Sequence, residues 1–176
     1  MRKKSNPALT HMITFQNVIL VITATTTSLI AGLFYAWTCS VIPGLARLSN
    51  VEYIRAMQSF NLSIQNPLFF ASFLGTALLL PACSYVHFGQ PISTRFWLLL
   101  ISTVIYLIGV LGVTIVGNVP LNDSLAAFQL DSATANEIAE ARNGFENRWN
   151  GLNSIRTVAA SFSIILVILA CISRED

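Results

Sequence analysis

The sequence predicts an all-α integral membrane protein: a four-transmembrane-helix bundle with an interfacial amphipathic helix and a partly helical extracytoplasmic loop. Asp, Glu, Lys and Arg are absent from four long stretches, residues 13–46, 56–94, 96–122 and 157–173. An apolar helix of about 20 residues crosses the ~30 Å hydrocarbon layer of a bilayer. The chain is 54% hydrophobic and only 10% charged, so these stretches dominate it. We therefore expect a multi-pass protein whose main partner is the lipid bilayer.

The length and the charge of the chain limit its organisation and its partners. With 176 residues, no segment between the apolar stretches is long enough to form a soluble core, so residues 1–176 are predicted to be one membrane domain. The net charge is +2 and the basic residues are scattered. Nucleic-acid-binding proteins instead carry clustered positive charge, so nucleic acid is not an expected partner.

Turn-forming residues mark the ends of the predicted spans. Pro43 and Gly44 end the first span, and Asn66 turns the chain into the second, where Pro67 suits a first helical turn. Gly151 precedes the last span. The four spans are predicted to cover about residues 13–42, 67–88, 95–117 and 152–173.

Small residues recur on the predicted spans at the spacing of one helical turn. Membrane helices associate through such faces because small side chains let neighbouring backbones approach closely. Each span is therefore expected to pack against a neighbour through its small residues. These residues are Ala24, Ser28, Gly32 and Ala36 in the first span, Ala71 and Gly75 in the second, Gly109 and Gly112 in the third, and Ala159, Ala160 and Ser163 in the fourth.

Two polar segments separate the spans. Residues 49–66 open with Ser49 and Glu52, the spacing of a capping box, and continue with apolar residues at helical spacing, which predicts an amphipathic helix at the membrane interface. In the loop at 118–151, Asn122 to Ser124 are predicted to cap a short helix that ends at Leu130. A second capping box at Thr134 to Glu137 opens a helix towards Arg148, which Gly144 and Gly151 interrupt before the last span.

The distribution of basic residues predicts that both termini are cytoplasmic. Arg2, Lys3, Lys4, Arg95 and Arg174 then lie on the inner side, in short segments nearly free of acidic residues. The arginines of the two longer segments share those segments with six carboxylates. Cytoplasmic segments of membrane proteins carry an excess of Lys and Arg. Both polar segments are therefore expected on the outer face.

Polar side chains converge on that outer face around Arg156. Arg156 interrupts the last apolar stretch about one helical turn inside it, and Asn153 and Trp149 share its helical face. An arginine near a helix centre costs ~2.5–3.5 kcal/mol on insertion scales, so it is expected to face the bundle or a ligand, or to snorkel outward as an interfacial anchor. Trp149 also suits an aromatic belt. The other polar residues of this face are Arg47, Asn61, Asn66, Asn118 and Asn122, and the last three also suit helix ends or turns.

No metal or cofactor is expected. No His/Cys metal cluster, Gly-rich phosphate loop or Ser-His-Asp arrangement is present in the sequence. His11 and His87 both fall at the predicted inner face, where a haem or metal between them is a weaker alternative to two interfacial histidines. No carboxylate or lysine lies in the middle of a span, which argues against a transporter or pump.

Six motifs in order along the chain resemble the anthrone oxygenase-like membrane family. They are GLFYAW at 32–37, IPGL at 42–45, AMQSFN at 56–61, IQNPLFF at 64–70, NVPLNDSL at 118–125 and RWNGLNSIR at 148–156. The resemblance implies a four-helix membrane fold and, for some members, oxygenation of polyketide anthrones to anthraquinones without an evident metal or flavin. Most members have no assigned reaction, so kinship does not fix function.

The resemblance maps onto the outer-face cluster and gives it expected roles. Arg156, Asn153, Asn118 and Asn122 are predicted catalytic residues, because a cation and amide donors stabilise an anionic oxygen. The predicted substrate-binding residues are Trp149, Trp37, Asn61, Asn66 and Arg47. Asp123 is the nearest candidate for a general base, and it is a weak candidate. The alternative is a non-catalytic protein that binds a lipophile or a partner subunit through its outer loops, and a homo- or hetero-oligomer is compatible with either function.

Overall fold

The computed structural model describes residues 14–173, and within them every regular element is a helix. The helices are α1 (Phe15–Leu45), α2 (Asn50–Ser63), α3 (Pro67–Val86), α4 (Thr94–Ala126) and α5 (Ala135–Ile172). All but α2 are long and apolar enough to cross a membrane. The predicted fold class is confirmed, and the chain is a multi-pass membrane protein. His11 and the basic residues Arg2, Lys3, Lys4 and Arg174 lie outside the described residues.

The four spanning helices pack around one apolar core. α1 lies against α3 and α5, α4 lies against α5 along its length, and α3 packs on residues 94–106 of α4. Leu80, Leu99, Tyr106, Val110 and Val167 are fully buried in this core. Polar side chains also join the helices across it. The Tyr106 hydroxyl donates to the Phe73 carbonyl at 2.9 Å, and such bonds hold membrane helices together where water cannot compete.

Local capping signals predicted the starts of several helices correctly. The Ser49 and Glu52 capping box is formed at α2, and the Thr134 and Glu137 box is formed at α5. Hydrogen bonds from Ser49 lower the pKa of the Glu52 carboxyl. Asn66 is the N-cap of α3, with its side-chain oxygen accepting from the Phe69 N–H at 3.0 Å. These bonds satisfy backbone donors that a helix start leaves unpaired.

The predicted break before the last span is wrong. α5 runs without interruption for 38 residues, past Gly144 and Gly151, so the helix that carries the last span begins at Ala135 and not at residue 152. Glycine lowers helix stability by only ~1 kcal/mol, and α5 recovers more than that by burying Ile138, Phe145 and Trp149 against the rest of the protein. Tertiary packing thus overrides the local preference.

The helices that carry the first and third spans also extend beyond the predicted ends. α1 continues past Pro43 to Leu45, and α4 continues past Pro120 to Ala126, so Asn118 and Asn122 lie within a helix rather than at its ends. The predicted helix from Asn122 to Leu130 is therefore replaced by the end of α4 and a turn. Proline is tolerated in membrane helices because neighbouring groups and wider helical turns satisfy the freed carbonyls.

Wide helical turns precede both prolines. In Trp37–Val41 and Thr114–Asn118 the helix is π-helical, and the N–H that follows each segment bonds the carbonyl five residues earlier. Proline has no N–H for the carbonyl four residues before it, and its ring crowds that carbonyl. For Pro43 and for Pro120, the carbonyl that lacks an N–H partner lies inside the π-helical segment. Pro81 lies in regular α-helix, so the local packing also contributes.

A second apolar core forms outside the four-helix core. Tyr53, Ile54 and Met57 of α2 are buried against Phe145 and Trp149 of α5. Arg142 lies over the Tyr53 ring at 4.4 Å, and burial raises the pKa of Tyr53. The apolar face of α2 therefore packs against the protein itself, and its predicted position at the membrane interface stays a prediction.

Small residues mediate helix packing in α4 and α5 but not in α1. Ser28, Gly32 and Ala36 are exposed, and α1 instead buries Leu20, Thr23, Thr27, Ile30, Ala31 and Phe34. The expectation for α1 is therefore wrong. A Cβ added to Gly75 would meet nothing within 4 Å, so the close approach expected there is also absent. In contrast, a Cβ added to Gly109 would lie 2.6 Å from the Ala159 Cβ.

Gly109→Ala is expected to destabilise the bundle by ~1–3 kcal/mol, because the added methyl group overlaps Ala159 and forces α4 and α5 apart. Thermal unfolding of the detergent-purified protein measures the effect. The double variant with Ala159→Gly should recover most of the loss. Gly75→Ala is the matched control and should be neutral or stabilising. Equal unfolding temperatures for the two single variants would contradict the tight crossing.

Arg95 joins the start of α4 to the end of α5. It is buried, with Nε donating to the Ala170 carbonyl at 3.0 Å and Nη2 donating to the Ser173 carbonyl at 2.6 Å. The last carbonyls of a helix have no partner within the helix and carry partial negative charge. Arg95 therefore neutralises the carboxyl end of α5 and ties it to the start of α4.

Candidate functional site

A cavity of about 340 Å³ lies between the spanning helices where they meet α2. Its size is within the ~300–1,000 Å³ that is usual for small-molecule sites. The wall is mostly aromatic and aliphatic, with several polar side chains among them. Among the predicted site residues, those that line the cavity are Trp37, Asn61, Asn118, Asn122, Trp149, Asn153 and Arg156.

Arg156 is buried in the wall of this cavity without a carboxylate partner. Its side chain donates from Nη2 to Asn153 Oδ1 at 2.9 Å and from Nη1 to Thr114 Oγ1 at 3.4 Å. The guanidinium carbon lies 4.7 Å from the centre of the Phe34 ring and 5.3 Å from that of Trp149. Aromatic faces attract cations, by ~0.5–2 kcal/mol. No carboxylate of residues 14–173 lies within ion-pair distance of Arg156, so its charge is held by neutral groups alone.

A hydroxyl and amide network fixes the side chain that holds Arg156. Asn153 Nδ2 donates to Thr38 Oγ1 at 3.0 Å, and Thr38 Oγ1 lies 2.8 Å from Thr157 Oγ1. Thr157 Oγ1 in turn donates to the carbonyls of Phe34 and Asn153. These bonds connect α1 to α5 and leave Asn153 one orientation, with its oxygen towards Arg156.

Two tryptophans form an aromatic corner of the cavity. The Trp149 indole donates from Nε1 to Asn122 Oδ1 at 2.9 Å, which joins α5 to α4. The ring centres of Trp37 and Trp149 are 5.6 Å apart, and Phe60 meets Trp37 edge-on at 5.3 Å. The belt position considered for Trp149 does not fit, because its side chain is buried between helices.

Five buried polar atoms of the cavity residues have no hydrogen-bond partner among residues 14–173. They are Trp37 Nε1, Asn61 Nδ2, Asn118 Nδ2, Asn118 Oδ1 and Arg156 Nε. A buried polar group without a partner costs ~1–3 kcal/mol, and most proteins avoid it. Four of these atoms are donors. Their concentration at one cavity fits a ligand that presents oxygen atoms there.

The wide turns of α1 and α4 place several of these groups. Trp37 and Thr38 lie in the π-helical segment before Pro43, and Thr114 and Asn118 lie in the one before Pro120. A π-helical turn shifts the side chains that follow it around the helix axis, and such turns are frequent at functional sites. These two π-helical segments therefore contribute several of the side chains at the cavity.

Pro120→Ala is expected to weaken function without weakening the fold. Alanine supplies the missing N–H to the Val116 carbonyl, worth ~1 kcal/mol, and favours a regular helix that moves Thr114 and Asn118. A displacement of about 1 Å in a site can cost ~10- to 100-fold in rate. Ligand affinity and any turnover are the measurements, with unfolding temperature in parallel. Pro81 is exposed and far from the cavity, so Pro81→Ala should change neither ligand affinity nor turnover. Unaltered ligand affinity in Pro120→Ala would contradict the role of Pro120.

Two predicted site residues do not line the cavity. Arg47 is exposed after the end of α1, and Asn66 is occupied as the N-cap of α3. The bonds of Asn66 therefore match the turn role considered for it. The snorkelling position considered for Arg156 does not fit, because Arg156 is only 6% exposed.

Sequence reasoning missed the aromatic lining and the hydroxyl groups. Phe34, Phe69 and Phe73 line the cavity, as do Gln65 and Thr114. Aromatic residues in an apolar span are indistinguishable from ordinary core residues by pattern.

The structure adds no support for Asp123 as a general base or for His87 as a haem or metal ligand. Asp123 lines the cavity but is exposed. His87 lies at the inner end of α3, where its Nδ1 is 2.8 Å from the Cys83 carbonyl. His11 falls outside the described residues. Among residues 14–173, no group of three or more His, Cys, Asp or Glu side chains is placed to hold a metal ion.

A larger and more open groove runs between α4 and α5, with a volume of about 660 Å³. Gly117, Arg148 and Leu152 lie along it, and it shares no lining residue with the cavity. None of the unpartnered buried atoms belongs to it. The enclosed cavity is therefore the better site, although the groove is larger.

Comparison with known proteins gives one family. The sequence pattern of a family described as anthrone oxygenase matches residues 68–166, from the start of α3 into the last third of α5. The matched part contains Asn118, Asn122, Trp149, Asn153 and Arg156. No curated protein and no solved structure matches the chain.

Proposed function

The chain belongs to the anthrone oxygenase family, and on that premise we propose that it oxygenates a lipophilic aromatic of the anthrone or quinol type in the enclosed cavity. The reaction would use O₂ and no cofactor. The match covers the parts of α4 and α5 that carry Asn118 and Arg156, and the cavity they line has a mainly apolar wall with several polar side chains.

The set of unpartnered polar atoms carries this proposal. An apolar ligand would leave Trp37 Nε1, Asn61 Nδ2, Asn118 Nδ2 and Arg156 Nε unsatisfied. A flat aromatic with ring oxygens offers acceptors to these donors and apolar faces to the aromatic wall. The substrate class thus matches both halves of the cavity.

The chemistry needs an anion to form and O₂ to capture it. Removal of a proton from the ring carbon of an anthrone gives an electron-rich enolate. One electron passes to O₂, the two radicals combine at that carbon as a peroxide, and loss of water leaves a carbonyl. One anthrone and one O₂ thus give one quinone and one water, with both oxygen atoms and all hydrogens accounted for.

The residues have separate roles in this scheme. Arg156 and the amide of Asn118 stabilise the enolate oxygen, because donors fixed in a water-poor site stabilise developing charge strongly. Trp37 and Trp149 provide flat surfaces for the rings. Asp123, at the exposed edge of the cavity, accepts the proton directly or through water.

The test is oxygenation by the purified protein in lipid nanodiscs. With a simple anthrone under ¹⁸O₂, we expect oxygen uptake and a quinone that carries one ¹⁸O atom, at a rate above that of empty nanodiscs. Protein without uptake or labelled product would refute catalysis on this substrate class. A matched quinol in the same assay separates anthrone oxygenation from quinol oxidation.

A ligand-binding role without turnover is the second candidate. It is favoured by the position of Asp123, which is exposed and is the one carboxylate among the cavity-lining residues. A site built for proton removal usually holds its base close to the reacting atom. Mass spectrometry that finds a bound aromatic, in protein without oxygen uptake, would establish this role. A stable complex with another subunit and no ligand would indicate a partner bound by the outer loops.

We also propose that both termini are cytoplasmic, which places the cavity at the outer half of the membrane. Lys and Arg are favoured in cytoplasmic segments, and Arg95 marks the same end as the basic N-terminus. Reporter enzymes fused after Asp176 and within residues 127–134 should be active on opposite sides of the membrane. The reverse pattern would invert the orientation.

A further inference from the structure

We propose that the cavity opens sideways into the lipid bilayer, between α3 and the outer part of α4, and that its ligand enters from the membrane. This inference rests on the proposed function only in taking the enclosed cavity as the ligand site. It requires no particular reaction. The occupant is a flat, lipid-soluble aromatic.

The packing of α3 leaves an opening on one side. α3 and residues 94–106 of α4 are joined by close packing and by bonds such as that between Ser84 Oγ and Thr103 Oγ1, at 3.1 Å. Beyond Tyr106, α4 packs against α5, and the described residues show no comparable packing of 107–126 on α3. The cavity occupies the space where these two helices separate.

The residues where α3 and α4 separate are apolar, and their side chains border both the cavity and the outer surface of the protein. Phe70 and Leu74 of α3 line the cavity and are 42% and 44% exposed, and Ile115 and Val119 of α4 line it and are 57% and 42% exposed. A side chain that lines a cavity and is also exposed marks its opening. An opening to water would be edged by polar groups, whereas this one is edged by Phe, Leu, Ile and Val.

The position of the opening along α3 places it in the apolar layer. Phe70 lies about one turn and Leu74 about two turns past Pro67, the first residue of the span. In contrast, Gln65 and Asp123 are exposed at another part of the same cavity, outside the span of α3. That polar edge suits the movement of protons and water.

The lining of the cavity fits entry from the membrane. A ligand passing Leu74 and Ile115 enters a space that aromatic side chains, Asn118 and Arg156 also line. It never has to leave an apolar environment, whereas entry from water would first require transfer out of the bilayer at ~25 cal/mol per Å² of apolar surface. The opening therefore selects for compounds that concentrate in lipid.

The test narrows the opening and measures entry without turnover. Leu74→Phe with Ile115→Phe enlarges both edges and keeps them apolar. Leu78→Phe with Ile108→Phe is the matched control, because these residues are 72% and 68% exposed on the same helices and do not line the cavity. Anthraquinone is added to proteoliposomes under argon, and quenching of Trp37 and Trp149 fluorescence reports its arrival. All proteins carry Trp97→Phe, since Trp97 is 50% exposed and would respond to quinone in the lipid.

We expect entry to slow about tenfold in the narrowed protein, which corresponds to ~1.4 kcal/mol of added barrier, and to be unchanged in the control. A sulfonated anthraquinone, held in water by its charge, should quench more slowly than the parent. Equal rates in all three proteins, faster entry of the sulfonate, or no quenching of the parent protein would each overturn the lateral opening. Oxygen uptake is scored separately, so slowed entry without any turnover would retain the opening and remove the proposed oxygenation.

Discussion

Arg156→Ala is expected to lower oxygenation at least about a hundredfold, the usual cost of losing a group that stabilises a developing oxyanion. The guanidinium is the one cation among the cavity-lining residues, and it is buried between Phe34 and Trp149. Its loss leaves only neutral amides for the enolate. Initial rates of anthrone-dependent oxygen uptake in nanodiscs measure the effect, with the unfolding temperature measured on the same samples.

Two further variants separate charge from geometry and from nonspecific loss. Arg156→Lys keeps the charge but loses the planar set of donors and the Nε atom, so intermediate activity is expected. Arg148→Ala removes an exposed arginine of the same helix, outside the cavity, and should retain the parent rate. Full activity of Arg156→Ala in folded protein would remove Arg156 from the mechanism.

Asn118→Leu is expected to abolish ligand binding while making the protein more stable. Asn118 is 1% exposed, and both Nδ2 and Oδ1 lack a partner within the chain. An isosteric apolar side chain removes that penalty, worth ~1–3 kcal/mol, and fills the same space. A purely structural asparagine would behave in the opposite way, since its replacement would break bonds that hold the fold.

The comparison that decides this prediction is with Asn153, which has partners on both sides of its amide. Asn153→Leu should lower the unfolding temperature, because it breaks the bonds to Thr38 and Arg156. Anthraquinone binding by fluorescence quenching and thermal unfolding give both readouts for each variant. If Asn118→Leu lowers stability as much as Asn153→Leu, Asn118 is part of the fold rather than a ligand group.

Sequence reasoning succeeded wherever the physics is local or is imposed by the membrane. Charge-free stretches located the spans because a bilayer excludes charge, and the capping boxes at Ser49 and Thr134 located two helix starts because a few adjacent atoms define them. Arg156 stood out for the same reason, as a charge in an apolar stretch. Its neighbours Asn153 and Trp149 followed from helical periodicity.

The errors arose where distant packing overrides a local preference. The sequence predicts helix ends at Pro43 and at residue 117, yet α1 and α4 accommodate Pro43 and Pro120 with π-helical turns and continue. The sequence predicts that Gly144 and Gly151 interrupt the helix. α5 nevertheless continues, because burial of Ile138, Phe145 and Trp149 stabilises it by more than the glycines destabilise it. The aromatic lining was not predictable, because only the arrangement of the helices distinguishes a phenylalanine facing a cavity from one facing lipid.

The continuity of α5 has a consequence for how the protein is made. Trp149, Asn153 and Arg156 all lie on this last helix, so a growing chain that has inserted α1 to α4 holds the amides and the phenylalanines but not the cation. The cavity is complete only after α5 inserts and its carboxyl end reaches Arg95. The cavity therefore gains Arg156, the one cation among its described lining residues, only when α5 packs against α1 and α4.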